Sequence, residues 1–201
     1  MRGCLLRSIY QKLFPAFDDR AHVLPVMTDP VPFASPVAGL DIGWASPSVL
    51  LQGGFSPAGD LVVLREFAQE RWRLPMFLRA ARKHAGMLPG TVGLEVAAFS
   101  AMPPLGVRSS DFLEAAGWHP CGVPARPSVR VKFLRRLLGS REFGPRLMVH
   151  HSCADLVAAL RECRGGIAAD GTVAFGTPEL SHWIDALGYM ACCPVYLGAG
   201  S

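Results

Sequence analysis

Between residues 37 and 67 the chain alternates short apolar runs with turn signals. The apolar runs cover residues 37–40, 49–55 and 61–67, and Ser56-Pro57-Ala58-Gly59-Asp60 separates the second from the third. Short apolar runs rich in β-branched residues and bounded by Gly, Pro and Asp are typical of β-strands, and a short turn between two of them is typical of a hairpin. The pattern therefore predicts three antiparallel strands in this part of the chain.

Farther along, apolar residues recur at helical spacing, and predicted helices alternate with predicted strands. One helix is predicted over residues 73–84, with its apolar positions on one face and Gly86 at its end. Beyond it we predict strands over residues 91–96, 118–123 and 146–150, helices over residues 111–116, 128–138, 154–163 and 179–193, and a hairpin before the last helix. An antiparallel start followed by alternating strands and helices predicts an α/β fold, with a mixed sheet flanked by helices.

The first 35 residues carry proline at positions 15, 25, 30 and 32 and show no sustained period of either kind. We expect an extended arm or linker over residues 1–35, one domain over residues 36–195 and a short tail over residues 196–201. A chain of 201 residues with 50% hydrophobic composition is long and apolar enough for one core of ordinary size.

Composition argues against several classes of protein. The six cysteines form no CxxC pair, which disfavours a zinc ribbon, a thioredoxin-like motif and a disulfide-dense secreted scaffold. No apolar stretch approaches the roughly 20 residues of a membrane span, and the N-terminus lacks the apolar core of a signal peptide. We expect a cytoplasmic protein with no membrane partner. The net charge of +4 permits a polyanionic partner without requiring one.

Three acidic residues stand out by their position. Asp41 and Glu95 end apolar strands, and Asp185 lies on the last predicted helix, three residues after His182. A carboxylate at the end of a buried strand needs a cation or a hydrogen-bond donor to stay ionised, and a spacing of three places His182 and Asp185 on one helix face. The set is compatible with a metal site. Each acid taken singly is also compatible with a helix cap or a turn, and the histidine pair with a surface hydrogen bond.

The order of these landmarks resembles the nuclease domain of the large terminase subunit of tailed bacteriophages. The resemblance spans about residues 9–193. Besides Glu95, the segments that carry it are residues 14–23, 39–43, 112–118 and 146–150, and most specifically His182-Trp183-Ile184-Asp185-Ala186-Leu187-Gly188-Tyr189.

The resemblance implies an RNase H-like fold and a metal-dependent endonuclease that cuts double-stranded DNA during genome packaging. Asp41 would bridge two ions, Glu95 and Asp185 would complete their ligands, and His182 would be an accessory ligand or position a water molecule. Two Mg²⁺ or Mn²⁺ ions about 3.5–4 Å apart activate the attacking water and stabilise the leaving oxygen, and carboxylates suit both metals. The implied partners are double-stranded DNA and, in packaging, an ATPase, a small terminase subunit or a portal protein.

Two features depart from the family pattern. Glu95 stands where the family more commonly has Asp, so activity or metal selectivity would differ, and the sequence has no G-x-x-x-x-G-K-[ST] motif, so we expect no packaging motor in it. Three interpretations stay open. In the first, the chain is a terminase nuclease, either part of a longer subunit or a stand-alone prophage remnant. In the second, it is another RNase H-like nuclease, such as a junction resolvase. In the third, it is a degenerate module that binds DNA without cutting it.

A basic cluster favours a nucleic-acid partner. Between residues 126 and 146 the chain carries seven basic residues and one acid, Glu142. Arginine binds phosphate oxygens without reading sequence, as a non-specific cutter would need, although basic helix faces also serve solubility alone. We predict DNA contacts for Arg126, Arg130, Lys132, Arg135 and Arg136, with Arg141 and Arg146 in the same cluster.

Overall fold

The described residues form ten strands in two sheets. The computed structural model describes residues 10–25, 33–101, 106–139, 144–170 and 172–193. In chain order the strands are β1 (Gln11–Lys12), β2 (Val23–Leu24), β3 (Ser35–Asp41), β4 (Ser48–Phe55), β5 (Leu61–Gln69), β6 (Thr91–Glu95), β7 (His119–Val123), β8 (Leu147–His150), β9 (Arg164–Ile167) and β10 (Val173–Phe175).

Seven of these strands form the main sheet, in the order β2-β8-β5-β4-β3-β6-β7. Strand β4 runs antiparallel to both of its neighbours, β3 and β5, and the other four neighbouring pairs are parallel. The mixed sheet that the sequence predicts is therefore confirmed. Strands β3, β5, β6, β7 and β8 all end at the same edge of this sheet, which we call the carboxyl edge.

Helices cover both faces of the main sheet. They are α1 (Asp19–His22), α2 (Leu74–Ala85), α3 (Ser109–Ala115), α4 (Pro127–Leu137), α5 (Ala154–Glu162) and α6 (Pro178–Ala191), and a short 3₁₀ turn (Val96–Phe99) follows β6. Successive strand residues point to opposite faces. Accordingly, Val37 and Val49 lie in one core with α4, α5 and α6, whereas Ala38 and Leu50 lie in a second core with α2 and α3.

The N-terminal residues differ from the extended arm that the sequence predicts. Leu13 and Phe14 are buried in the first core. Strand β1 pairs with β9 in the small sheet β1-β9-β10, and β2 adds a parallel strand beside β8. Strands of two residues are too short to show a period, so the pattern could not indicate them. The boundaries at residues 36 and 195 stay predictions, and residues 1–9 and 196–201 lie outside the described chain.

The hairpin predicted before the last helix is present as β9 and β10, which pair antiparallel. No helix within the described ranges is long and apolar enough to cross a membrane.

Candidate active site

Two of the predicted acids end neighbouring parallel strands. Gly39 of β3 is paired in register with Gly93 of β6, and Asp41 and Glu95 each follow two residues later. Because side chains alternate along a strand, Asp41 points to the same face as Gly39, and Glu95 to the same face as Gly93. Both carboxylates therefore lie at the carboxyl edge, on the face covered by α6.

Helix α6 lies directly against the backbone of these two strands. A Cβ atom at Gly39 would be 2.0 Å from the carbonyl oxygen of Ala186, and one at Gly93 would be 2.4 Å from that of Tyr189. Only a residue without a side chain permits this approach. The close crossing brings the predicted helix pair, His182 and Asp185, to the end of β3.

His182 and Asp41 form a hydrogen bond across the crossing. Nδ1 of His182 lies 2.7 Å from Oδ2 of Asp41, and because a carboxylate only accepts, the imidazole N–H donates. The two side chains are 23% and 17% exposed. The bond to Asp41 raises the pKa of His182, and burial opposes this rise. Asp41 thus has one oxygen held by the protein.

Asp185 is held from the opposite side by Arg130. Nη2 of Arg130 donates to Oδ1 of Asp185 at 2.6 Å. Burial raises the pKa of Asp185, while the hydrogen bond and charge of Arg130 lower it. The arginine therefore offsets part of the penalty of placing a carboxylate in this partly dry environment.

Glu95 is exposed, unlike the other two acids. It lines a cavity of about 190 Å³ together with Asp41 at the end of β3 and β6. The three carboxylates share one electrostatic neighbourhood, since burial first, and then the negative charges of Asp185, Asp41 and Glu95, raise the pKa of the Tyr189 hydroxyl. The structure thus brings all four predicted site residues to one edge of the sheet.

The donor types suit a hard divalent cation, because carboxylate oxygens are the ligands that Mg²⁺ and Mn²⁺ prefer. Within the described parts of the chain, however, no three His, Cys, Asp or Glu side chains are gathered closely enough to hold a metal ion. Asp41 and Asp185 are instead bonded to His182 and Arg130. The residues fit a metal site in chemistry, but they are not preassembled as one.

The predicted DNA-binding residues separate into an exposed group and one buried residue. Arg126, Lys132, Arg135 and Arg136 are exposed along α4 or just before it. Arg130, in contrast, is only 6% exposed. The structure therefore does not place Arg130 on the surface that the sequence predicts for DNA binding.

Of the two remaining members of the basic cluster, the structure describes only Arg146. Arg146 is bonded to Asp60 and to the β4–β5 turn, and Arg141 lies outside the described residues.

The burial of Arg130 could have been predicted from the helical periodicity of α4. Position 130 precedes the buried Leu134 and Leu137 by four and seven residues, which places it on the inward face of α4. The second residue that sequence reasoning missed is Tyr189, whose ring lies 4.3 Å below the Arg130 guanidinium. It stands one helical turn after Asp185, so the same rule would have placed it beside the acid.

Taken together, the strand order, the flanking helices and acids at the ends of two central parallel strands define an RNase H-like fold of the terminase nuclease type. The nuclease domain of the phage P22 large terminase matches with a TM-score of 0.66 and 16% identity over 89% of this chain and 91% of that one. The large terminase nuclease of thermophilic phage G20c with bound magnesium matches with a TM-score of 0.55 and 16% identity over 89% of this chain and 96% of that one.

The large terminase of another thermophilic bacteriophage is also similar, with a TM-score of 0.67 and 14% identity. The match covers 90% of this chain but 45% of that terminase chain, so the protein spans less than half of its length. The sequence matches no protein-family model and no curated protein. At these identities the likeness shows the fold.

Proposed function

We propose that this chain is a metal-dependent endonuclease that cleaves double-stranded DNA, in the manner of a terminase nuclease acting in phage DNA packaging. The observation that carries the proposal is the convergence of Asp41, Glu95 and Asp185 at one edge of a terminase-like sheet. Carboxylates that converge at one edge of a sheet repel one another, and a cation relieves that repulsion. In that role its partners would be double-stranded DNA and a packaging ATPase, a small terminase subunit or a portal protein.

Asp41, Glu95 and Asp185 would hold the Mg²⁺ or Mn²⁺ ions, with His182 beside them. When bound, a pair of such ions supplies an activated water and stabilises the charge on the leaving oxygen. His182 orients Asp41 through its Nδ1–H, and its other ring nitrogen, Nε2, takes no part in this bond. Arg130 holds Asp185 by a hydrogen bond from its Nη2 to Oδ1 of the carboxylate. Glu95, which is exposed, is the carboxylate with the most freedom to turn toward a ligand.

The exposed basic residues of α4 would bind the DNA backbone. Arg126 lies three residues after the end of β7 at the carboxyl edge, and Lys132 and Arg136 are exposed farther along the helix. The stretch from residue 126 to residue 136 corresponds to about 15 Å of helix, at about 1.5 Å per residue. These basic residues begin, with Arg126, at the edge of the sheet that carries the acids. Contacts of this kind give affinity that depends on salt and not on sequence.

A second candidate function, DNA binding without cleavage, is favoured by one observation. Asp41 is hydrogen-bonded to His182 and Asp185 is paired with Arg130, and no cluster of three ligands is preformed among the described residues. In that case the chain would bind duplex DNA and ignore divalent metal. A junction resolvase would use the same acids on branched DNA.

The test is cleavage of supercoiled plasmid by the purified chain in Mg²⁺, Mn²⁺ or EDTA, beside the variant Glu95→Gln. Because Glu95 is exposed, this substitution removes a carboxylate without disturbing a core contact. We expect nicking and linearisation in metal only, reduced at least about 100-fold in the variant, since even groups behind a metal ligand contribute about 10- to 100-fold. A four-way junction cut in preference to linear duplex would favour the resolvase. A folded wild type that binds duplex but cuts neither substrate in either metal would favour the non-catalytic module.

A further inference from the structure

We propose that Arg130 is a positioning residue for Asp185, which it holds in the orientation required for metal binding, and that it makes no contact with DNA. The inference rests on the proposed metal-dependent function. It also departs from the sequence prediction, in which Arg130 belongs with the surface arginines of α4. Four features of its surroundings carry it.

The first feature is that both terminal nitrogens of Arg130 are engaged. Nη2 donates to Oδ1 of Asp185 at 2.6 Å, and Nη1 donates to the carbonyl oxygen of Ala125 at 2.8 Å. Ala125 lies in the connection between β7 and α4. The planar guanidinium therefore ties Asp185 to the carboxyl edge of the sheet, and the burial of Arg130 leaves little of it open to a phosphate in solution.

The second feature is packing around the arginine. Its Cζ lies 4.3 Å from the centre of the Tyr189 ring, so the charge stacks on an aromatic face. A Cβ at Gly188 would lie 3.0 Å from both Cβ and Cδ of Arg130, so the glycine makes room for the stem. Tyr189 and Gly188 both belong to α6, the helix that carries Asp185. The side chain is thus fitted to that helix along its whole length.

The third feature is a hydrogen-bond donor of Arg130 that is buried without a partner in the described part of the chain, which lowers the stability of the fold. Nε of Arg130 is buried and has no hydrogen-bond partner among the described residues. A buried donor without a partner destabilises a fold. A buried arginine that leaves a donor unpaired while holding a carboxylate is better explained by the geometry it gives that carboxylate than by its contribution to stability.

The fourth feature is the part of Asp185 that Arg130 leaves available. The arginine bonds Oδ1, so Oδ2 is the oxygen left for another ligand. Burial alone disfavours the charged carboxylate, and the adjacent guanidinium counteracts this. Lysine would supply the charge, but it lacks the planar fork that reaches Asp185 and Ala125 together.

The experiment measures Mn²⁺ binding without DNA, by electron paramagnetic resonance of the free ion, in the full chain and in Arg130→Gln and Arg130→Lys. The matched control is Arg136→Gln, an exposed arginine on the same helix. Duplex DNA binding in EDTA is measured for every variant by fluorescence anisotropy, and thermal unfolding establishes that each variant is folded.

We expect Arg130→Gln to weaken Mn²⁺ binding about 10- to 100-fold, the range found for groups behind a metal ligand, with Arg130→Lys between it and the wild type. DNA binding in EDTA should not change in either. Arg136→Gln should show the reverse, with weaker DNA binding and unchanged Mn²⁺ affinity.

If Arg130→Gln and Arg130→Lys bind Mn²⁺ as the wild type does, or lose DNA affinity as Arg136→Gln does, the inference is wrong while the proposed function stands. If the folded wild type binds no Mn²⁺, both are wrong. Should the Arg130 variants not fold, Gly188→Ala gives the second measurement, because its Cβ would crowd the arginine stem and leave the charge in place. It should weaken Mn²⁺ binding in the same direction, and wild-type affinity in that variant overturns the inference.

Discussion

Replacing Gly39 by alanine should destabilise the fold and disable the candidate site in one step. The new Cβ would lie 2.0 Å from the backbone oxygen of Ala186 and 2.7 Å from Cβ of Met190. Neither atom is the tip of a flexible side chain, so no rotamer change relieves the overlap. Relief requires β3 and α6 to move apart.

The size of that movement follows from the same distances. Ordinary contact begins near 3.4 Å, so the carbonyl oxygen of Ala186 must retreat by about 1.4 Å. Overpacking a core costs about 1–3 kcal/mol, and an overlap with backbone belongs at the upper end, near 3 kcal/mol. For a chain of this size that lowers Tm by about 6–12 °C.

The same retreat would reach the site. A 2.7 Å hydrogen bond between His182 and Asp41 does not survive a separation of the two elements by more than an ångström. A misplacement of about 1 Å reduces the rate of an enzyme by about 100-fold. We therefore expect plasmid cleavage to fall about 100-fold at a temperature where the variant is still folded.

The assay pairs thermal and urea unfolding with plasmid cleavage, and Gly90→Ala is the control. A Cβ at Gly90 has no neighbour within 4 Å, so this variant experiences the same change in backbone entropy without the overlap. It should unfold within about 1 kcal/mol of the wild type and cut normally. If Gly39→Ala matches Gly90→Ala in both measurements, α6 does not rest on the backbone of β3.

Three further substitutions test separate parts of the molecule. Glu95→Gln should unfold within about 0.5 kcal/mol of the wild type in EDTA because the side chain is exposed, yet lose the stabilisation that Mn²⁺ gives to the wild type; an equal shift of Tm by Mn²⁺ in both would remove Glu95 from the metal site. Lys132→Gln should reduce the slope of log affinity for duplex DNA against log salt by about 0.9, and an unchanged slope would mean that this lysine makes no phosphate contact. Burial raises the pKa of Glu66 above its ordinary 4.5, although the amides of Asp155 and Leu156 donate to it. The folded state therefore binds this proton more tightly than the unfolded chain, and the wild type should lose stability relative to Glu66→Gln as the pH rises from 4.5 through the raised pKa; a difference in unfolding free energy that is constant with pH would contradict this.

Most of the fold could be predicted because the apolar residues of its longer strands and helices recur at regular spacing. The predicted helix over residues 73–84 corresponds to α2, and the predicted strand over residues 91–96 to β6, with the last residue in a 3₁₀ turn. The antiparallel start could be predicted from a turn sequence between two apolar runs, which corresponds to the β4–β5 hairpin. These signals are local, and a single sequence contains them.

The parts that could not be predicted depend on contacts between distant segments. Strand β2 has two residues and exists because β8 offers it an open edge. That the four candidate residues form a site stays a prediction, and their bonding partners could not be predicted at all. A basic residue on a helix looks the same in the sequence whether its side chain contacts solvent or a buried carboxylate. Arg130 illustrates the point: its residue type suggested phosphate, and its burial against Asp185 required the packing of α4 on α6.

The strongest sign that two acids form one site is a short pattern that occurs on both strands. Gly39-Leu40-Asp41 ends β3, and Gly93-Leu94-Glu95 ends β6. In each, the glycine lets α6 approach the backbone, the leucine points into the opposite core, and the acid points back toward the helix. A turn residue needs none of this, since an acid that only closes a turn gains nothing from a glycine two positions earlier on the same face. The repetition on adjacent strands in register therefore favours one shared site over two unrelated turns, and it explains how Asp41 meets a histidine 141 residues away.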